Sequence, residues 1–244
     1  MEMEKHRAQE IHNFFAAQVG AYAIATPVNI EAVIEYCRGR KLRRVLELGA
    51  GIGTLTYTVL NETNANVEVY EDSSYCREQL IKNIGPWRDR VSVIESYNVL
   101  PSTDFYDLVI IDGPDCDDPL ERDRKTCNVL SGLRGIDCFF IEGSRYSQRR
   151  IAQRVMMTLN AYSLSRVRSR KVVDLGLVKG GLFIQKKGNA GEGIRKLCYM
   201  FWLLYDICDF LDPRRRKKVV SRMLNPSKTI MRVSRLVVRY FRES

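Results

Sequence analysis

The sequence predicts an α/β fold: a doubly wound, mostly parallel sheet of about seven strands with an antiparallel last strand, plus a basic helical C-terminal appendage. Three observations predict it. Short apolar runs alternate with helix-length stretches from residue 44 onward. A glycine-rich break, "VLELGAGIGTLT" (45–56), follows the first of those runs. The positive charge is gathered at the carboxyl end: residues 189–244 hold 13 Lys and Arg against 5 Asp and Glu, within a formal total of +10.

The elements follow in order. Ile11, Phe14, Phe15 and Val19 recur at helical spacing and predict an amphipathic first helix. Thr26-Pro27 reads as a cap followed by proline at the first helical position, opening a second helix that runs to about Cys37. "RVLEL" (44–48), "VEVYE" (67–71), "VSVIE" (91–95), "DLVIID" (107–112) and "CFFIE" (138–142) read as strands buried on both faces. "SSYCREQLIKNI" (73–84) and "SQRRIAQRVMMTLNAYSL" (147–164) read as crossover helices. In "RSRKVVDLGLVKGGLFIQKK" (168–187) two strand-like runs flank a glycine turn, which predicts an antiparallel pair closing the sheet. "KKGNAGEGIRK" (186–196) is a glycine-rich joint. The expected organisation is 1–38, N-terminal helices covering the site; 39–188, the sheet domain; and 189–244, the basic tail.

The seven cysteines are odd in number and lack CxxC spacing. That argues against a disulfide framework or a zinc site and points to a reducing, cytoplasmic setting. The charged start "MEMEKHRAQE" has no apolar core of the kind a signal peptide needs.

A strand, a glycine turn and a helix let a ligand touch backbone at the carboxyl end of a sheet. A dinucleotide turn reads GxGxxG. Here the third glycine comes one residue early, at Gly53, and Thr54 holds the place a dinucleotide fold would use. Glu47 beside the turn would repel a pyrophosphate and suits a ligand carrying an ammonium group.

The ordered set resembles the class I S-adenosylmethionine-dependent methyltransferases, nearest the small O-methyltransferase branch, over roughly residues 20–188. Glu47-Leu48-Gly49-Ala50-Gly51-Ile52-Gly53 matches that family's (D/E)xGxGxG. The resemblance implies a Rossmann-like fold and S-adenosylmethionine as cofactor. It implies that Glu47, Gly49, Ala50, Gly51, Gly53 and Thr54 form the cofactor turn. Glu71, ending the second strand, would grip the ribose hydroxyls, with Asp72 after it. Glu95 and Ser96 stand where the family meets adenine; Glu95 is one place early. "IIDGPD" (110–115) resembles the fourth-strand motif and places Asp112 beside the reacting methyl group. "FFIEGSR" (139–145) resembles the fifth-strand motif, with Glu142-Gly143 where the branch has Asp-Asp or Asp-Asn.

A hydroxyl acceptor must lose a proton, so it benefits from a base or a metal. Asp112 is the first candidate, as base, orienter or cation ligand, and Glu142 is the second. His12 is a third if the first helix covers the site, though a surface histidine is the commoner outcome on such a helix. Asp115 and Glu142 supply oxygens for a divalent ion, but Gly143 occupies the place of the family's third ligand, so no metal is expected. Arg122, Arg124 and Arg145 are available to an anionic substrate. "DGPD" lacks the aromatic residue that stacks on a flipped base, which disfavours base methylation. A hydroxyl on a small molecule, sugar or lipid-linked acceptor is the expected substrate.

In the tail, "LCYMFWLLYDICDFL" (197–211) is too short to span a bilayer and contains Asp206 and Asp209. "PRRRKK" (213–218) follows. Arg232, Arg235, Arg239 and Arg242 then share one helical face, with Ile230, Val233, Val237 and Phe241 opposite. Residues 194–244 thus suit the anionic inner surface of a membrane as a peripheral anchor. Equally open is packing against the sheet domain or a second subunit in a homodimer. Nucleic acid ranks third, because the aromatics are not interleaved with the arginines. The alternatives to a hydroxyl-directed enzyme are an RNA- or protein-directed methyltransferase and a non-catalytic cofactor-binding module.

Overall fold

In the computed structural model, the described residues are 2–19, 21, 24–114, 119–133, 135–142, 162–166 and 181–186. The chain divides into two compact units, Met1–Ala190 and Gly191–Ser244. The basic tail, Asp115, Arg145 and the run 168–180 all lie outside the described residues.

The five apolar runs are strands: β1 (Arg44–Leu48), β2 (Asn66–Tyr70), β3 (Val91–Ile94), β4 (Leu108–Ile111) and β5 (Cys138–Ile141). Each lies within one residue of its sequence-derived limits. All pair in parallel, and β6 (Tyr162–Arg166) and β7 (Leu182–Lys186) complete the sheet in the order β3-β2-β1-β4-β5-β7-β6. Only β7 runs antiparallel, against both β5 and β6. β4 and β5 are buried at every residue, as parallel strands covered on both faces must be.

One expectation is corrected here. The partner of β7 is Tyr162–Arg166, which the sequence places at the end of a helix. "YSLSR" alternates polar and apolar residues with period two, so its strand signal is present but short.

The helices are α1 (Glu2–Ala16), α2 (Pro27–Cys37), α3 (Thr54–Glu62), α4 (Ser74–Ile84) and α5 (Pro119–Ser131), with a 3₁₀ turn at Gly85–Arg90. α1 buries Glu4, Ala8, Ile11 and Phe15, while Phe14 and Val19 are exposed, so the apolar stripe is narrower than the sequence implies. α2 opens at Pro27, but the Thr26 hydroxyl makes no capping bond and is buried without a partner among the described residues. Proline at the first helical position leaves one fewer backbone donor to cap. Ser73 does cap α4, accepting from the Cys76 N–H.

α1 and α2 pack on each other and on α3, sharing one apolar core with the sheet. Phe15 meets Tyr57 edge-on at 5.6 Å, and Tyr57 meets Trp87 edge-on at 5.1 Å. On the other flank Tyr36 of α2 stacks on Phe183 of β7 at 5.0 Å. Among the described residues no helix is long and apolar enough to cross a membrane.

Strand order reverses between β1 and β4. In such a sheet the crevice for ligands lies outside the carboxyl ends at that reversal. The backbone draws this edge together. The N–H groups of Asp112 and Gly113 both donate to the Leu48 carbonyl, at 3.0 and 2.7 Å. A Cβ on Gly49 would overlap the backbone of Gly113, and Gly49 sits at φ +80. Gly39, at φ +71, faces open space. Gly49→Ala is therefore expected to cost at least about 3 kcal/mol, by overlap added to left-handed strain. Gly39→Ala carries only the conformational part, about 1–2 kcal/mol. Urea unfolding of the two variants beside the parent chain measures the difference.

Candidate functional site

The glycine turn joins β1 to α3. Gly49, Gly51 and Gly53 adopt φ of +80, +54 and +96, which side chains disfavour. The three glycines have different reasons. Gly49 is required by the protein itself, because Gly113 occupies the space a side chain would take. Gly53 lies against the Leu80 side chain at 3.3 Å and caps α3. Only Gly51 opens onto free space: nothing lies within 4 Å of an added Cβ. The sequence assigns all three to ligand approach; the structure leaves that role to Gly51.

Glu71 ends β2 where the resemblance places the ribose-binding acid. One carboxylate oxygen accepts the Gly51 N–H at 2.7 Å, and the other accepts the Ser73 N–H at 2.9 Å. Two strand tips therefore meet at half-buried Gly51. Burial raises the Glu71 carboxyl above the ordinary carboxylate range, and those two backbone donors oppose the rise.

Glu47, in β1 just ahead of the turn, is buried. It is 1% exposed and accepts a hydrogen bond from Thr56 Oγ1 at 2.5 Å. Burial pushes its carboxyl up to about 8; the Thr56 hydroxyl pulls down and the nearby Glu71 charge adds to the rise. Ala50 and Thr54 are also buried. Thr54 offers its backbone carbonyl to Thr58.

The remaining acids have partners that the sequence did not reveal. Arg77 on α4 pairs with Glu95 at 3.0 Å and donates to the carbonyls of Glu71 and Asp72. It ties the β2 and β3 tips together. Asp72 pairs with Lys125 of α5 at 2.9 Å. Asp72 is thus turned to α5, whereas Glu71 alone meets the glycine turn. Ser96 accepts the Asn98 N–H at 3.2 Å in the loop after β3. Arg77 carries a weak sequence signal: it lies four residues past the Ser73 cap, in the first turn of a helix that starts at a strand tip.

At the tips of β4 and β5, Asp112 and Glu142 are both half-buried. They flank neighbouring strands, since the Glu142 N–H donates to the Ile111 carbonyl at 3.0 Å. Asn29 of α2, fully buried, donates from its side-chain amide to Glu142 Oε1 at 2.5 Å. Nothing in the sequence pairs two residues 113 positions apart. His12 is held by a ring-nitrogen bond to the Ala25 carbonyl at 3.0 Å. Arg124 is exposed on α5. Among the described residues no three acids, histidines or cysteines gather as metal ligands.

The strand order, the single antiparallel strand and the glycine turn define the fold of the class I S-adenosylmethionine-dependent methyltransferases. Solved structures agree. An S-adenosylmethionine-dependent O-methyltransferase from Thermotoga maritima aligns at 18% identity with a TM-score of 0.52, over 76% of this chain and 72% of that one. The cofactor-bound protein Rv0187 from MTB aligns at 16% with a TM-score of 0.51, over 76% and 90%. The O-methyltransferase TomG from Streptomyces achromogenes, solved with S-adenosylmethionine, aligns at 14% with a TM-score of 0.50, over the same shares. At such identities the likeness is one of fold. No protein-family model and no curated protein matches the chain.

The raised Glu47 carboxyl has a consequence for stability. Its folded value, about 8, stands above the ordinary 4.5, so the folded chain holds a proton that the unfolded chain releases. Its favourable contribution is complete below about pH 4.5 and is lost as pH rises toward 8. Glu47→Gln should therefore flatten the fall in Tm between pH 5 and 8. Thermal melts are expected to show the variant gaining several degrees on the parent at pH 8 and little at pH 5.

Proposed function

We propose that the chain is an S-adenosylmethionine-dependent methyltransferase directed at a hydroxyl of a small-molecule, sugar or lipid-linked acceptor. One observation carries the cofactor reading: the free space over Gly51, with the Glu71 carboxylate bonded to the Gly51 N–H. The donor set fits this cofactor. The Glu71 carboxylate at the turn disfavours a pyrophosphate and suits a ligand that carries positive charge. Glu71 remains able to accept from ribose hydroxyls. Gly51 would face the amino-acid end, since the N–H groups of Ala50 and Gly53 are held by the Tyr70 and Ala50 carbonyls, and Glu95 and Ser96 would lie toward the adenine.

The bound cofactor supplies a methyl group already activated by the sulfonium. The protein then has to orient an acceptor oxygen in line with the carbon and take its proton. Asp112 follows β4 at the strand reversal and is assigned as base or orienter. Glu142, steadied by Asn29, is assigned as its neighbour on the acceptor side. With the cofactor bound, Asp112 would accept the proton that the acceptor hydroxyl gives up on methylation. His12 is a further candidate only if α1 closes over the acceptor. The lipid-linked option rests on the basic pattern of residues 213–242, which lies outside the described residues. Flotation of the full chain with anionic vesicles, against a chain ending at residue 188, tests the peripheral membrane reading.

Calorimetry with S-adenosylhomocysteine tests the cofactor site directly. The parent chain is expected to bind. Gly51→Arg, which fills the open space, should lose at least 100-fold in affinity, and Glu71→Ala about 10- to 100-fold, each while retaining a cooperative melt. Equal heats from Gly51→Arg and the parent would reject the site. With an identified acceptor, Asp112→Asn should lower kcat about 10²- to 10⁴-fold with little change in cofactor affinity.

A further inference from the structure

The amino edge of the sheet, opposite the cofactor turn, carries a concavity. It has a volume of about 560 Å³ and is formed where the chain enters β1, leaves α3 and approaches β3. Arg40, Lys41, Arg43 and Arg90 line it, with Trp87 and Asn64. The segment leading into it, "RGRKLRR" (38–44), places five basic residues within seven.

Arg90 donates to the carbonyls of Thr63 and Leu60, both at 2.7 Å, and not to a carboxylate. Arg40 donates to the Tyr36 carbonyl and lies over the Tyr36 ring at 4.3 Å. Among the described residues no carboxylate pairs with the side chains of Lys41 or Arg43. The acid in the lining, Glu62, is paired with Arg7 at 3.1 Å. Asp107 nearby accepts the backbone N–H groups of Arg43 and Arg44. The concavity is therefore strongly positive.

Shape separates the anionic partners. A bilayer is locally flat and cannot follow its phosphates into a hollow. Trp87, moreover, is half-buried and braced edge-on by Tyr57, so it is a fixed wall and not an inserting anchor. An aromatic wall beside arginines is what a nucleotide chain requires, with bases stacking on the ring and phosphates meeting the cations. Asn64 adds a neutral donor and acceptor at the rim.

We propose that this groove binds a single-stranded nucleic acid segment, with phosphates on Arg40, Lys41 and Arg43 and a base against Trp87. The proposal does not rest on methyl transfer. Five residues of β1 separate this edge from the cofactor turn, about 16 Å at strand rise, so the strand is held as a partner and is not thereby the methyl acceptor.

The test uses the full chain carrying Trp202→Phe, in which Trp87 is the remaining tryptophan. A twelve-residue oligouridylate and an oligothymidylate of the same length are titrated at 50–200 mM salt, reading tryptophan quenching. The expected result is saturable quenching by one or both oligomers, at least tenfold tighter than by uridine monophosphate. Arg40→Gln/Lys41→Gln/Arg43→Gln should weaken it at least tenfold and reduce the log–log salt slope by about 2. The melting temperature and S-adenosylhomocysteine binding should stay at parent values. If the triple variant melts early, Lys41→Glu alone serves in its place, with a loss of at least threefold expected. Binding seen by anisotropy without tryptophan quenching would place the strand on the basic tail and overturn the proposal. So would quenching by phosphatidylserine vesicles only, or equal affinity for the monophosphate.

Discussion

The structure depends on how closely β1 and β4 approach each other at their carboxyl ends. Leu48 gives its carbonyl to two successive N–H groups, those of Asp112 and Gly113. Tyr70 does the same for Gly49 and Ala50, at 2.9 and 3.2 Å. The ladder thus continues past the last strand residues and pulls three loops into one plane. Gly49 has no room for a side chain because Gly113 fills it. With that approach fixed, the next glycine, Gly51, is left facing outward with its N–H on Glu71. The same bonds deliver Asp112 to the edge of the opening. A cofactor seat and a candidate base are consequences of one close passage of backbone.

That passage also sets the electrostatics. Packing the loops so tightly buries Glu47 beneath them, and burial without a cation holds its proton well into the neutral range. Glu71, less buried, is kept useful by two backbone donors. Arg77 and Lys125 neutralise the outer acids Glu95 and Asp72, which leaves Glu71 as the acid bonded to the open part of the turn. An entering ammonium would meet an acid, Glu71, that gains by its arrival. A pyrophosphate would meet an acid that does not. The preference of the turn therefore comes from what lies beneath the glycines as much as from their spacing.

Much of this was legible in the sequence, for identifiable reasons. Parallel strands buried on both faces must be almost wholly apolar, so β1 to β5 stood out from their surroundings. β6 did not, because "YSLSR" joins a helical pattern and its pairing with Leu182–Lys186 is antiparallel and distant. Glu71 could be placed because strand ends carry position. The duty of Gly49 could not be read, since its neighbour Gly113 is 64 positions away. Arg77, Asn29 and Lys125 were missed for the same reason: each acts on a partner set by topology. The Thr26 hydroxyl was misread in the other direction, as local spacing suggested a cap that the packed helix does not form.

A parallel sheet sorts its loops by edge, and here the sorting is also one of charge. Loops that follow strands carry Glu71, Asp72, Glu95, Asp112 and Glu142; the segments that precede them carry Arg40, Lys41, Arg43, Arg88 and Arg90, with Asp89, Asp104, Asp107 and Asp137 interspersed. Had the two sets shared an edge, they would have paired and cancelled. Held apart by the length of the strands and by a core of Val, Ile and Leu, they are available to different ligands. The acidic edge favours a cation and repels phosphate, whereas the basic edge does the reverse. The nearly neutral balance of the first 188 residues, +2, therefore conceals an uneven distribution, and phosphates of the proposed partner would be drawn to the side away from the cofactor turn.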